Sequence, residues 1–339
     1  MLRRYTTIKD IAKALGISVA TVSRALRDAY DVSPQTRQLV LETAIKMNYK
    51  PNFNATGLVK SSTHKLGVII PAITNYYFST VITGIQEVAQ KNGYNIFLYI
   101  TNDSSDLEKD IVKDLSFSSL DGILACVSSP SDACMHFQDI IDDGLPVVFF
   151  DRVPEQINVS RVMQDDYDGA YQAVEHLIKK GYTKIAHITG PKGVFLTENR
   201  LRGYRDALIK YNLPIRNEWI IYSGFSQKAG EADAELLFEK SENLPDALFA
   251  VNDRKAIGAM ISLKRRNIKI GKEVGVIGFT NDPMCEIIFP TLSTVAEPAL
   301  EIGMKSCELL LKHIRKSNFV PVEVVLSGEL IERESTNRN

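Results

Sequence analysis

The sequence predicts a small all-α unit followed by a larger α/β core of two lobes, each a doubly wound parallel sheet. The chain has 339 residues, which is enough for two or three domains. Helical spacing of apolar residues dominates the first fifty residues, whereas strand-like and helical segments alternate from residue 65 onward. Hydrophobic residues make up 45% of the chain and charged residues 24%, which excludes a disordered or fibrous protein.

Residues 7–48 are predicted to form three short helices. Thr7 and Asp10 have the spacing of a capping box at the start of the first helix. Gly16 allows the chain to turn, and Ser18 is expected to cap the second helix. The residues expected to face the core of this unit are Ile8, Ile11, Ala12, Leu15, Val22, Leu26, Leu39, Val40, Thr43, Ala44 and Met47.

From residue 65 onward, strands alternate with helices in two successive series, and each series contains four strand-like segments. The strand-like segments centre near Val68, Phe97, Leu124 and Val148, and then near Ala186, Ile221, Leu248 and Val276. Continuous apolar strands separated by helices indicate parallel sheets covered on both faces. A last helix over 298–316 and a final strand over 322–327 are expected to connect the lobes at a hinge. This architecture is typical of a two-lobed clamp around a small molecule.

Charge is distributed unevenly along the chain. Residues 1–60 contain ten basic and four acidic side chains and sum to +6, whereas the remaining residues sum to −7. A basic end on an acidic body indicates a polyanionic partner at that end. The apolar segments are far shorter than the ~20 residues that span a bilayer, and residues 1–10 lack the apolar stretch of a secretion signal. We therefore expect a cytoplasmic protein with no membrane partner.

Signatures of catalysis and of metal binding are missing from the sequence. It contains no phosphate-binding loop, no G-x-G-x-x-G after the first strand and no G-x-S-x-G elbow. The five histidines are scattered, and no two of the four cysteines form a C-x-x-C pair. We expect buried, reduced thiols, no catalytic residues, no cofactor and no metal site.

The second predicted helix has the character of a DNA-reading helix. Two helices joined by a tight glycine turn fit a helix-turn-helix, whose second helix enters the major groove. On its outer face Val19 and Ala20 can contact thymine methyl groups, and Arg24 can reach guanine or phosphate. Thr21 and Ser23 suit phosphate oxygens. The alternative is a helical packing module that binds no DNA, and the local charge of +6 favours DNA.

Several segments resemble the lactose-repressor/galactose-repressor (LacI/GalR) family of bacterial transcription regulators. TIKDIAKALGISVATVSRAL and VSPQTRQLVLETAIKMNYKPN resemble the family's DNA-binding headpiece. The resemblance continues through KLGVIIP, DGIL, PVVFFDR, NRLRGYRDAL, LFAVNDRKAIGAM, EVGVIGF and PTLSTVAEPALEIG, in the family's order. It implies a periplasmic-binding-protein-like core that binds a small effector between its lobes. It also implies a homodimer, or a higher oligomer, on a pseudo-palindromic double-stranded DNA operator.

The resemblance implies three domains and a DNA-contacting set. The domains are a headpiece over 1–50, a hinge helix and linker over 51–63, and a core over 64–339, whose first lobe takes about 64–163 and 294–321 and whose second lobe takes about 164–293 and 322–339. The hinge helix would fold on the operator and insert an apolar wedge, here Leu58, into the minor groove. The residues expected to contact DNA are Thr7, Ser18, Val19, Ala20, Thr21, Ser23, Arg24, Asn52, Ala55 and Leu58.

The effector site is also implied by the resemblance. The expected ligand-contacting residues are Asn75, Tyr77, Phe78, Asp151, Arg152, Arg200, Phe225, Asn252, Asp253, Thr280 and Asn281. The chain departs from the family at Thr280, where many members have an aspartate that binds ligand hydroxyls. It also has Val194 and Leu196 where purine-binding members place arginine and threonine, which favours a sugar or sugar derivative.

The sequence thus predicts a ligand-switched transcription regulator, a repressor of carbohydrate-utilisation genes, with no enzyme activity. The runner-up is a two-lobed carbohydrate-binding protein whose basic headpiece serves another interaction, and an enzyme is the third alternative. The identity of the effector, its action as inducer or co-repressor, the operator sequence, the target genes, a possible co-regulator protein and the choice between dimer and tetramer stay open.

Overall fold

The computed structural model describes residues 6–26, 31–49, 62–115, 120–128, 134–154, 156–240, 244–316 and 320–338. The chain forms two compact units, residues 1–63 and residues 64–339. Of the predicted hinge segment over 51–63, only residues 62 and 63 are described. The predicted DNA contacts of Asn52, Ala55 and Leu58 therefore lie outside the described residues.

The N-terminal unit contains three helices, α1 (Ile8–Leu15), α2 (Val19–Leu26) and α3 (Pro34–Lys46). The predicted capping box is confirmed, because the Thr7 amide donates to the Asp10 carboxylate at 2.8 Å and the Asp10 amide donates back to the Thr7 hydroxyl oxygen. α1 ends at Gly16 in the left-handed region, with φ of 63°. The Ser18 hydroxyl oxygen accepts from the Thr21 amide at 3.0 Å, so the predicted cap of α2 is also present.

The core of the N-terminal unit is small and formed by all three helices. It buries Ile11 and Ala12 of α1, Val22 and Ala25 of α2, and Val40 and Ala44 of α3. The expectation that Leu39 belongs to this core is wrong, because its side chain is 50% exposed. Val40 and Ala44 lie one helical turn apart on the face of α3 that packs against the core. Leu39 lies outside this face and is therefore accessible to solvent.

The core unit alternates strands and helices along its length. In chain order its elements are β1 (Lys65–Ile70), α4 (Tyr76–Lys91), β2 (Asn95–Ile100), α5 (Ser105–Leu115), β3 (Gly122–Ala125), α6 (His136–Asp142), β4 (Val147–Phe150), β5 (Arg161–Gln164), α7 (Asp166–Lys179), β6 (Ile185–Thr189), α8 (Phe195–Lys210), β7 (Ile220–Tyr222), α9 (Gln227–Lys240), β8 (Ala247–Ala250), α10 (Asp253–Arg265), β9 (Gly275–Thr280), α11 (Met284–Ile287), β10 (Ser293–Ala296), α12 (Ala299–Arg315), β11 (Glu323–Leu326) and β12 (Glu329–Ile331).

These strands form two six-stranded sheets, one for each lobe. The first sheet has the order β11-β5-β4-β3-β1-β2, and all its strands pair in parallel. The second has the order β12-β10-β9-β8-β6-β7, with only β12 antiparallel. Apolar clusters lie on both faces of each sheet, as parallel sheets require. The predicted doubly wound two-lobed fold is confirmed.

The lobe boundaries differ from the expected ones near the C-terminus. β10 was expected in the first lobe and β11 in the second, but β10 pairs with β9 of the second sheet and β11 pairs with β5 of the first. The chain therefore crosses between lobes at 164–166, 296–299 and 326–329. The first and the last of these crossings lie side by side, because the Asp165 amide donates to the Leu326 carbonyl at 2.8 Å.

All four cysteines are buried thiols that form no disulfide with one another, as expected from their apolar surroundings. No helix among the described residues is long and apolar enough to cross a membrane. The described residues also contain no group of three or more His, Cys, Asp or Glu side chains that could hold a metal ion.

Close helix pairs in the first lobe depend on glycine. A Cβ atom at Gly84 of α4 would lie 2.2 Å from the Leu300 carbonyl oxygen, and a Cβ atom at Gly303 of α12 would lie 2.1 Å from the Val81 carbonyl oxygen. Real Cβ atoms do not approach backbone oxygen so closely. The two helices can therefore pack at this distance only because both positions lack a side chain.

We predict that Gly303→Ala lowers the free energy of unfolding of the core by about 1–3 kcal/mol, because the methyl group forces α4 and α12 apart. Thermal and urea unfolding of the full chain would measure it. Gly224→Ala is the matched control, since a Cβ atom at Gly224 meets nothing within 4 Å. Equal stability of the two variants would contradict the close-packing argument.

Candidate functional site

The outer face of α2 carries the residues that the sequence singled out for DNA reading. Ser18, Val19, Ala20 and Arg24 are exposed, and Thr21 and Ser23 are half-buried. Val22 and Ala25 face the core instead, so the helix has one packed side and one accessible side. The accessible side is made of small and hydroxyl-bearing residues, which let a helix approach base edges closely.

Arg24 is the one long basic side chain described on this face of α2. Its Nη1 atom forms an ion pair with Asp31 at 2.7 Å, and its Nε atom donates to the Ala20 carbonyl at 3.3 Å. Both partners of the ion pair are more than one-third exposed. Exposed ion pairs contribute only about 0–1 kcal/mol, so a DNA phosphate or guanine edge can displace Asp31.

A cavity lies between the two lobes of the core unit, at the carboxyl ends of their strands. Its empty volume, counted together with the open solvent at its mouth, is about 410 Å³. Side chains of both lobes line it: Asn75, Tyr77, Phe78, Asp151, Arg152, Leu196, Arg200, Phe225, Val251, Asn252, Thr280 and Glu297.

The structure brings nine of the eleven expected effector residues to this cavity, all except Asp253 and Asn281. Asp253 is buried beneath it, where its two carboxylate oxygens accept from the Thr294 hydroxyl at 2.7 Å and the Asp282 amide at 2.8 Å. Because both oxygens already have donors, Asp253 fixes the loop after β9 and does not face a ligand. Asn281 lines a neighbouring cavity at the starts of α4 and α12.

Two cavity residues have an unusual backbone conformation. Asp151 has φ of 61° and Thr280 has φ of 128°, both in the left-handed half of the map. Non-glycine residues at positive φ cost free energy, and such strain often occurs at binding sites. The strain turns the chain sharply at the ends of β4 and β9 and presents Asp151 and Thr280 to the cavity.

Arg200 lies at the floor of the cavity and is 3% exposed. Its Nε atom donates to Asp166 at 2.8 Å, and Nη2 contacts Asp166 and Glu297 at 2.7 Å each. Nη1 donates to the Val251 carbonyl at 2.5 Å, and the guanidinium lies 3.6 Å from the centre of the Phe279 ring. Every nitrogen of Arg200, which was expected to contact the ligand, therefore already has a protein partner.

Asp166 and Glu297 form a buried acidic cluster with Asp151. Burial raises the pKa of Asp166 to about 6 and that of Glu297 to about 7, although Arg200 opposes both shifts. Burial also raises the pKa of Asp151, against the attraction of Arg152 and Arg200. Burial opposes the charge of Arg200, yet the carboxylates raise its pKa and keep it protonated. The cavity floor thus has a fixed cation and carboxylates with a raised affinity for protons.

Arg152 closes one side of the cavity across the two lobes. Its Nη1 atom pairs with Asp103 of the first lobe at 2.6 Å, and its guanidinium lies 4.8 Å from the centre of the Phe225 ring of the second lobe. Its buried Nε atom has no hydrogen-bond partner among the described residues. Arg152 therefore offers a donor to a ligand while it bridges the cleft.

An apolar cluster adjoins the cavity. Val194, Leu196 and Val251 form this buried cluster, and Phe225 packs against it. Leu196, Val251 and Phe225 line the cavity, whereas Val194 precedes α8 and gives it no side-chain cap. Val194 and Leu196 are thus apolar at the two positions where the resemblance gives purine-binding members an arginine and a threonine.

Sequence reasoning did not assign two buried acidic residues to this site. Glu297, which lines the cavity, follows β10, a short strand of mixed polarity that was not predicted. Asp166, which contacts Arg200, is the first residue of α7, and with Asp165 it was interpreted as a solvated acidic pair in a loop.

We predict that Arg200→Ala lowers the free energy of unfolding of the unliganded protein by about 3–5 kcal/mol, because it leaves Asp166 and Glu297 buried without their cation. Arg202→Ala, two residues further along α8 at an exposed position, should change it little. Differential scanning calorimetry of both variants tests this. An unliganded protein that tolerates Arg200→Ala would show that the cluster does not depend on the guanidinium.

Comparison with known proteins places the chain in a family. Residues 7–52 match the model of bacterial regulatory proteins of the lacI family, and residues 174–336 match a periplasmic binding protein-like domain. The transcriptional regulator DegA of Bacillus subtilis is 31% identical over 98% of both chains. The transcriptional repressor PurR of Vibrio cholerae is 29% identical over 97% of both chains.

Solved structures agree with this result. A complex of the transcriptional regulator CelR with cellobiose is 25% identical, has a TM-score of 0.75 and is matched over 97% of this chain and 99% of that one. The lac repressor dimer bound to operator has a TM-score of 0.85 over 98% and 99% of the two chains, and at 23% identity it shows the fold alone. The chain is a DNA-binding transcription regulator, not an enzyme, and belongs to the LacI family.

Proposed function

We propose that the protein is a repressor whose binding to a pseudo-palindromic operator is switched by a sugar or sugar derivative bound between the core lobes. The observation that carries the effector half of this proposal is the cavity at the strand ends, where aromatic and polar side chains from both lobes converge. The free energy of binding a ligand between the lobes can shift the equilibrium between two lobe arrangements. In this way a ligand can control the headpiece.

The DNA-binding half rests on α2 and on charge. The exposed residues of α2 fit major-groove reading, and residues 1–60 carry a net charge of +6 that attracts DNA phosphates. Thr7 at the start of α1 is exposed and is assigned to the backbone of the operator, with Ser18, Thr21 and Ser23. Ala55 and Leu58 are assigned to the minor groove through the family resemblance.

A homodimer is part of the proposal, because a helix-turn-helix repressor reads two half-sites related by a two-fold axis. Large apolar side chains on the core surface support it. Ile287 is 73% exposed and Phe289 is 76% exposed, next to half-exposed Met284. A cluster of this kind is costly to leave in water and is typical of a protein interface.

The sugar assignment rests on the chemistry of the walls and on a relative. Tyr77, Phe78 and Phe225 offer apolar faces to a sugar ring, and Asn75 and Arg152 offer hydrogen bonds at its edge. Val194 and Leu196 stand where the resemblance gives purine-binding members an arginine and a threonine, which favours a sugar over a purine. The CelR complex, which holds cellobiose, shares this fold over nearly the whole chain. The controlled genes are accordingly proposed to serve carbohydrate utilisation.

We predict that Arg24→Ala weakens binding to a selected palindromic operator by about 1–3 kcal/mol, the value of a good side-chain–base contact. Binding to unrelated DNA should change much less. Fluorescence anisotropy with both DNAs would measure the ratio, and Lys264→Ala, an equal loss of charge at an exposed position of α10, is the control. If the two variants behave alike, Arg24 does not read bases.

The proposed switch is tested by a sugar screen on the full chain. At a hundredfold excess over its Kd an effector should stabilise the folded protein by about 2.7 kcal/mol, and the same compound should change operator affinity. Phe225→Ala should weaken both effects together, because it removes one wall of the cavity. A compound that raises the melting temperature without altering operator affinity would contradict the proposed switch.

A further inference from the structure

The charged groups around the cavity do not balance. Two cations, Arg152 and Arg200, face the carboxylates of Asp151, Asp166 and Glu297, with Asp103 at the rim. Arg200 is shared by Asp166 and Glu297, and Arg152 is held by Asp103. With every group ionised, the site therefore has two more negative charges than positive ones.

Glu297 occupies a special place in this cluster. It lines both the cavity between the lobes and the neighbouring cavity beside α12, so it is accessible from two sides although its side chain is buried. It lies in the crossing between β10 of the second sheet and α12 of the first lobe. The groups that face it are Arg200 on α8, Asp166 on α7, Asp151 after β4, Thr280 at the end of β9, which donates a hydrogen bond to it, and Tyr77 on α4.

We infer that Glu297 and Asp151 make this cavity selective for uncharged or amine-bearing polyols, and against sugar acids and sugar phosphates. The inference rests on the proposed sugar effector and defines its charge. An anionic ligand would add to the excess of negative charge, or would have to take Arg200 from the buried Asp166 and Glu297 or Arg152 from Asp103 at the rim. Ionised carboxylates accept hydrogen bonds and cannot donate them, so the ionised cluster favours a ligand rich in donors.

Neutral polyols meet this requirement because each hydroxyl both donates and accepts. Hydroxyl protons can go to Asp151 and Glu297, while hydroxyl oxygens can accept from the Nε atom of Arg152. Burial, together with Asp151 and Glu297, raises the pKa of Tyr77 well above its ordinary value, so its hydroxyl stays a donor. An ammonium group also suits the site, since it brings three donors and a positive charge.

The excess of charge can be measured without any ligand, by comparing the full-length wild-type chain with Glu297→Gln. Burial raises the pKa of Glu297 from 4.5 to about 7. The stability associated with its protonation is therefore complete below about pH 4.5 and is lost as the pH rises through about 7. The wild-type melting temperature should fall relative to that of Glu297→Gln between pH 5 and pH 8. A difference between the two that does not change with pH would overturn the inference.

Glu301→Gln is the matched control, because it removes one carboxylate from an exposed position in the first turn of α12, four residues after Glu297. Its melting temperature should run parallel to the wild-type curve over the same pH range. A pH-dependent divergence as large as that of Glu297→Gln would also contradict the inference, since the effect would then belong to the overall charge and not to the cavity.

The selectivity itself is tested with ligand sets that keep the sugar ring and differ in charge: glucose, glucosamine, glucuronate and glucose 6-phosphate; ribose and ribose 5-phosphate. Isothermal titration calorimetry should show any binding neutral or amine member preferred over its anionic counterpart by about tenfold or more. Glu297→Gln should reduce that ratio, and Glu301→Gln should not. An anion that binds as tightly as its neutral counterpart overturns the inference. If no compound binds, the proposed sugar effector fails, and the pH comparison alone decides the charge of the site.

Discussion

The interaction on which the core unit depends is the contact of Arg200 with Asp166 and Glu297. Asp166 lies where the chain leaves the first sheet for the second lobe, and Glu297 lies where it returns. One guanidinium therefore ties two of the three crossings together at the floor of the cavity. The third crossing is held against them, since Asp165 donates to the Leu326 carbonyl. The side chains of Asp166 and Glu297 at the crossings between the lobes consequently also form the floor of the cavity with Arg200.

This arrangement gives a physical route from ligand to lobe movement. A ligand that donates a hydrogen bond to Glu297 competes with Arg200 for the same carboxylate and thereby acts on a hinge segment directly. Arg152 against Phe225 adds a contact across the cleft that a bound molecule also has to meet. Under the proposed switch, ligand binding and a change of lobe arrangement would share these contacts, and the ligand would then bind the two arrangements with different affinity.

The sequence predicted the architecture more successfully than the charge network. Eight of the nine predicted strands were recognised from their apolar runs, as at Val147–Phe150, and the caps at Thr7 and Ser18 follow from local side-chain chemistry. The residues of β10, which was not predicted as a strand, and those of β11 were assigned to the wrong lobes, because short strands reveal their partners only through long-range pairing. Nine of the cavity residues were predicted only through the family resemblance. The contacts of Arg200 and the burial of Asp253 were not predicted, because they depend on neighbours distant in sequence.

The cluster is hard to explain as a means of stabilising the fold. Burying several charges costs more desolvation energy than their attraction usually returns, and apolar replacements of buried ion pairs are often more stable. Phe279 beneath Arg200 and Val251 beside it show that apolar side chains fit this region. Under the proposed switch, the costly carboxylates at the lobe crossings, next to the strained Asp151 and Thr280, serve the response to a ligand. We therefore propose that stability and response are in conflict at this site, and that the residues present favour response.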